Sequence, residues 1–173
     1  MTWWPFELHP ETPPEGRSIA AIVEGRGAAR RDHLRSYAAE AGITLASNRW
    51  LPNSHRALEL AEFARDRGAF ERVHWALLRA YFEQAKDIGD LDILAGIATE
   101  AGLDAEEFRF ETIVGRYAGL VDQCTAIARQ KSVQSTPTMI FDDRMVMTGA
   151  QDLNVYQDVL TRLGAELRHP GIV

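Results

Sequence analysis

The sequence predicts an α/β fold, and three observations carry that reading. Residues 28 to 131 form a long block in which apolar side chains recur at helical spacing between capping residues and glycines. After residue 131 the period drops to that of strands, in "TMIF" (138–141) and "RMVMT" (144–148) around Asp142-Asp143. Before the helical block, the aromatic stretch Thr2 to Leu8 reads as a further strand. The order is strand, helical block, strand, strand, helix, which is an α/β pattern with a helical insertion.

Each element has its own reason. "HPETPPEG" (9–16) holds three prolines and a glycine, so it is a loop rather than helix or central strand. Ala28 to Ala41 is a helix stopped by Gly42, and "ITLASNRWLPN" (43–53) is extended or irregular. Asn53 or Ser54 caps the next helix, which carries Leu58, Ala61 and Phe63 and closes at Gly68. Phe70 to Gln84 repeats Phe70, Val73, His74, Leu77, Leu78, Tyr81 and Phe82 at helical spacing. Asp90 caps Leu91 to Ala101, and Gly102 ends it. Asp104 and Glu107 have capping-box spacing and open a helical region that runs to about Lys131, with a break near Gly115 or Gly119. Two residues, Asp142-Asp143, suit a tight hairpin turn. Gly149 to Leu163 is a last amphipathic helix, with Leu153, Tyr156, Val159, Leu160 and Leu163 on one face.

Composition excludes several classes. The chain has 173 residues, enough for one domain with a core, and is 46% hydrophobic and 25% charged. A net charge of -6 argues against a nucleic-acid partner, which needs a basic face. Arg26, Arg30, Arg31 and Arg35 are mixed with acids and alanines and read as a solvated helix face. No run approaches a membrane span of roughly 20 apolar residues, and the start lacks the basic and apolar regions of a signal peptide. One cysteine, Cys124, excludes an internal disulfide and a cysteine-rich zinc site, and fits a reducing, cytoplasmic setting. Among apolar neighbours it reads as a buried small hydrophobe rather than a redox thiol. The histidines His9, His33, His55, His74 and His169 form no sequence pair of ligand type, so no metal is expected.

Four motifs, in this order, resemble the DsbA family: "PFELHPETPPEG", "LPNSHRALELAEFARDRG", "ALLRAYFEQAKDIGDLDILAGIATEAGLD" and "VQSTPTMIFDDRMVMTGAQ". They cover nearly the whole chain and are most similar to the branch of FrnE-like oxidoreductases and 2-hydroxychromene-2-carboxylate isomerases. The resemblance implies one DsbA-like domain over residues 1–173. Its thioredoxin-like part is 1–15 and 132–173; its mainly helical part is 28–131. It also implies an incomplete thioredoxin-like fold. The family's first core strand and the Cys-x-x-Cys helix start have no counterpart here, and Thr2 to Leu8 matches the second core strand. That leaves a slot in the sheet, to be closed by rearrangement, by a second chain, or by more of a longer protein. A homodimer or rearranged sheet is the expectation. Trp3 and Trp4, on opposite faces of a strand, would leave one buried and one needing a cover.

The resemblance also implies a site. Pro137 should be the cis-proline that faces the active site in thioredoxin folds, with Gln134, Ser135 and Thr136 offering backbone to an extended thiol peptide or to glutathione. Gln151 and Asp152 should open the last helix beside it, where free amides suit a glutathione carboxylate. Asn53 and His55 lie in a family motif and are expected to line the groove; Asn48 and Arg49 lead into it. No catalytic residue is assigned. The expected activities are a DsbA-like oxidoreductase without its own dithiol, a glutathione-dependent isomerase, or a non-catalytic binding or assembly protein completed by a partner.

Overall fold

The computed structural model describes residues 1–19 and 28–165, without the side chains of residues 28–33. Arg26, the side chains of Arg30, Arg31 and His33, and His169 therefore lie outside the described residues. The order of elements is β1 (Arg17–Ser18), α1 (Ala28–Glu40), β2 (Trp50–Leu51), α2 (His55–Asp66), α3 (Phe70–Phe82), α4 (Leu91–Glu100), α5 (Ala105–Ile113), α6 (Ala118–Gln130), β3 (Thr138–Phe141), β4 (Met145–Thr148) and α7 (Leu153–Arg162). The chain divides into two compact units, residues 1–128 and 129–173.

The first unit is built around α2, which packs against α3, α4 and α5. Leu60, Phe63 and Ala64 are completely buried, together with Val73 of α3, Leu94 and Ala98 of α4 and, almost completely, Phe108 of α5. Phe63 meets the ring of Phe108 at 5.6 Å and the edge of Tyr117 at 6.2 Å. Burying one such side chain contributes about 1.5–3 kcal/mol. The helix starts follow the capping rule. The Asp90 carboxylate accepts from the amides of Asp92 and Ile93, and that of Asp104 from Glu106 and Glu107. The capping box of α5 is half made, because the Glu107 side chain instead takes Arg67 Nη2 at 2.6 Å. Gly42, Gly68, Gly102 and Gly115 all have positive φ just after helices. β1 and β2 form a short antiparallel pair, Arg17 opposite Leu51 and Ser18 opposite Trp50.

Residues 2–8 form no strand, contrary to the expectation from their aromatic pattern. Pro5 has no amide to give, and the Glu7 amide donates to the Thr125 hydroxyl of α6 at 3.1 Å rather than to a neighbouring strand. Arg65 of α2 holds the Trp3 carbonyl at 2.9 Å. The segment is thus tied to two helices by side chains, which no ladder requires. Neither tryptophan is buried: Trp3 is 37% and Trp4 58% exposed, with the Trp3 ring 4.6 Å from His74. Strand alternation fails here because the strand does not exist.

The second unit, described to residue 165, is an antiparallel hairpin followed by a helix. β3 and β4 pair from Thr138 opposite Thr148 to Phe141 opposite Met145. Asp142 and Asp143 both have positive φ, which aspartate tolerates better than most residues. The last helix starts at Leu153, four residues later than the expected Gly149, because Gly149 itself has φ +81 and cannot be helical.

Candidate functional site

In the second unit, the loop before β3 and the segment after β4 meet at one end of the hairpin. The Thr136–Pro137 peptide bond is cis. Gln134, Thr136 and Pro137 are exposed and Ser135 is half-buried. The Thr138 hydroxyl donates to the Ser135 carbonyl at 2.7 Å. The Gly149 amide donates to the Pro137 carbonyl at 2.8 Å, one step beyond the ladder. Gln151 sits at the same end: its side-chain amide donates to the Thr148 carbonyl at 3.1 Å. Its backbone amide donates to the Tyr156 hydroxyl at 3.2 Å. Gln151 therefore does not open α7 with a free amide, as the sequence suggested; it is a linker residue before the Asp152 cap position.

Asn53 and His55 belong to the first unit, and both are engaged there. The Asn53 side chain donates to the Thr12 carbonyl at 2.7 Å and accepts the His55 amide at 2.9 Å. The cap of α2 is thus supplied by Asn53, since Ser54 makes no side-chain cap bond. Asn48 donates to the Tyr81 carbonyl at 2.7 Å. With Arg49, Trp50 and Lys86 it lines an open cavity of about 100 Å³.

His55 is the centre of a polar cluster on α2. Its Nδ1 lies 3.0 Å from Glu7 Oε2, and its Nε2 lies 3.8 Å from Glu59 Oε1, one turn along the helix. Glu7 and Glu59 are buried, at 5% and 3% exposure. Glu59 Oε2 has no hydrogen-bond partner. The hydrogen bond to Glu7 pushes the His55 pKa up, against the opposing effect of burial. Burial pushes the Glu59 carboxyl up, and His55 and Arg56 counter it. From α6, the exposed Asp122 completes the group: one donor atom each from Glu7, His55 and Asp122 lie within 4.8 Å of one another. The sequence reading singled out His55 and passed over its three carboxylate neighbours. The His55–Glu59 pair was open to view as an i, i+4 spacing on one helix; Glu7 and Asp122 arrive only through tertiary folding.

Cys124 sits in mid-helix on α6 and is half-buried. Burial pushes its thiol pKa up; Glu62 adds to the shift and Arg65 opposes it. A nucleophilic cysteine needs the reverse environment.

Comparison with known proteins gives a consistent placement. The family model of the DSBA-like thioredoxin domain matches residues 1–161. The chain is 24% identical over 164 residues to YwbO, an uncharacterized protein of Bacillus subtilis (strain 168), covering 93% of this chain and 80% of that protein. Its structure is similar to a probable DsbA oxidoreductase from Streptomyces coelicolor, with a TM-score of 0.81 and 25% identity over 97% of this chain and 76% of the other. It also shares its fold with a 2-hydroxychromene-2-carboxylate isomerase, with a TM-score of 0.73 and 17% identity over 94% of this chain and 80% of the other.

Proposed function

Because this chain belongs to the DSBA-like thioredoxin domain family, we propose that it is a thioredoxin-fold protein that binds a thiol-bearing ligand, glutathione or a thiol peptide, without using Cys124 as a nucleophile. Gln134, Ser135, Thr136 and Pro137 would form the substrate groove, with Gln151 beside them. The observation that carries this reading is the state of Cys124, the one cysteine of the sequence. Disulfide exchange requires a thiolate that attacks sulfur. Cys124 lies in mid-helix with a raised pKa and no helix N-terminus behind it. No Cys-x-x-Cys occurs in the sequence. A glutathione-dependent isomerase meets this constraint, because the ligand brings the sulfur. A cytoplasmic location and a homodimer belong to the same reading: a reducing compartment supplies millimolar thiols, and a second copy would complete the two-stranded sheet.

A second reading is favoured by the likeness to the probable DsbA oxidoreductase: a disulfide oxidoreductase, or a binding or assembly protein, that draws its thiol chemistry from a partner chain. Two assays separate the readings. Glutathione titration by calorimetry should give saturable binding that Thr136→Lys weakens and Cys124→Ser leaves intact. Insulin reduction should be no faster than the uncatalysed rate. Insulin turnover abolished by Cys124→Ser would overturn the proposal, and so would the absence of binding at millimolar glutathione.

A further inference from the structure

The cluster on α2 lies in the first unit and has an unexplained cost. Glu59 is buried, yet one of its oxygens has no partner and the other stops 3.8 Å short of the His55 ring. A buried carboxylate that makes no hydrogen bond to the ring beside it is unfavourable, so a protein that keeps one there points to a role for it at that ring. The group around it is a set of metal donors. Ligands of one tetrahedral ion, bound at roughly 2.0–2.2 Å, lie about 3.3–3.6 Å apart. The donors of Glu7, His55 and Asp122 fall within 4.8 Å of one another, so side-chain adjustments of roughly 1 Å bring them onto one ion. Glu7 Oε2 and His55 Nδ1 are already 3.0 Å apart, within that reach.

We propose that Glu7, His55 and Asp122 bind a divalent transition-metal ion, zinc above the others, with Glu59 orienting His55 from behind. His55 would give Nδ1 to the ion and keep its proton on Nε2. Nε2 lies 3.8 Å from Glu59 Oε1, and a shift of about 1 Å would bring the two into hydrogen-bond range. This is the carboxylate–histidine–metal arrangement, in which the outer carboxylate fixes the tautomer and orientation of the ring. One imidazole and two carboxylates suit zinc better than magnesium or calcium, which prefer all-oxygen sets. Asp122 is exposed, so the ion can reach the site from solvent, while the buried Glu7 and Glu59 hold its inner side.

Zinc chloride is titrated by calorimetry into chelator-stripped protein, with magnesium chloride as control. One zinc per chain is expected, with an upward shift in Tm and little response to magnesium. His55→Ala and Asp122→Ala should abolish the saturable phase. Glu59→Gln should weaken it roughly tenfold to a hundredfold, the usual cost of losing an outer-shell partner. Asp122 is an exposed helix residue, so its variant tests the site even if the His55 variant fails to fold. Equal zinc affinity in Asp122→Ala and wild type, or no saturable binding in wild type, would overturn the proposal. So would binding abolished by Cys124→Ser, which would place the ion elsewhere.

Discussion

Replacing Glu59 by methionine should stabilise the metal-free protein. The side chain is 3% exposed, and its Oε2 has no partner. An unsatisfied buried polar group costs about 1–3 kcal/mol. Methionine has similar length, an adaptable shape and no polar oxygen to desolvate. What is lost is the attraction to His55, at 3.8 Å; His55 keeps Glu7 at 3.0 Å, so no charge is left unpaired, the case in which breaking a buried pair is costly. The balance is a gain of about 1–2 kcal/mol, or roughly 2–8 °C in Tm for a chain of this size. The gain should depend on pH in a defined sense. Burial raises the folded pKa of Glu59 above the ordinary value of a glutamate carboxyl. For a raised carboxyl, native stability is fully present below the unfolded pKa and is lost as pH rises through the folded pKa. Wild type therefore carries its penalty at neutral and alkaline pH, and the advantage of Glu59→Met should shrink toward pH 4. Circular dichroism melts in chelator across pH 4–8 measure both effects. A Tm lowered by the substitution at pH 8, or a difference that grows toward acid, would refute the reasoning.

Four further outcomes follow from other sites. Burial, with Arg65 nearby, lowers the His74 pKa below 6.5; its contribution is complete above that value and lost as pH falls toward the folded pKa, so His74→Phe should flatten the loss of urea midpoint between pH 7 and 5. Arg67 bonds the Phe63 carbonyl at 3.0 Å and Glu107 at 2.6 Å, and lies 3.6 Å over the Phe63 ring. Arg67→Ala should cost about 1.5–3 kcal/mol in urea denaturation, and Arg67→Lys should recover less than half, because an ammonium cannot fork to these partners. Asp90→Ala and Asp104→Ala should each cost about 1 kcal/mol of the same stability, as lost helix caps do. Cys124 should react with iodoacetamide at pH 7 more slowly than free cysteine, and reach the free rate once urea unfolds the chain.

Much of the fold was legible because its signals are local. The Asp90 and Asp104 caps, the glycines that end helices, and the shift to period two at Thr138 each need only a few neighbours in sequence. The family motifs added what local signals could not, namely that hairpin and helical block belong to a DSBA-like thioredoxin fold. The strand at residues 2–8 was misread because aromatic residues suit any half-covered surface, and only a pairing partner makes a strand of them. The site divides in the same way. Gln134 to Pro137 were found by motif, and the hairpin gathers them with Gln151. Glu7 and Asp122 come from opposite ends of the first unit, and no spacing links them to His55. Glu59 was overlooked for a different reason: a glutamate on a helix is ordinarily solvated, and only the docking of other segments over α2 makes it an exception.

The tie between Glu7 and Thr125 spans 118 residues, which gives it a meaning on the ribosome. At about 5–20 residues per second, the segment around Glu7 is made roughly 6–24 s before its partner on α6 exists. Helices α2 to α5 can condense through nearby contacts in that interval, while the segment waits for a surface to complete it. Its docking on α6 is thus a long-range contact that cannot form before α6 itself has been made.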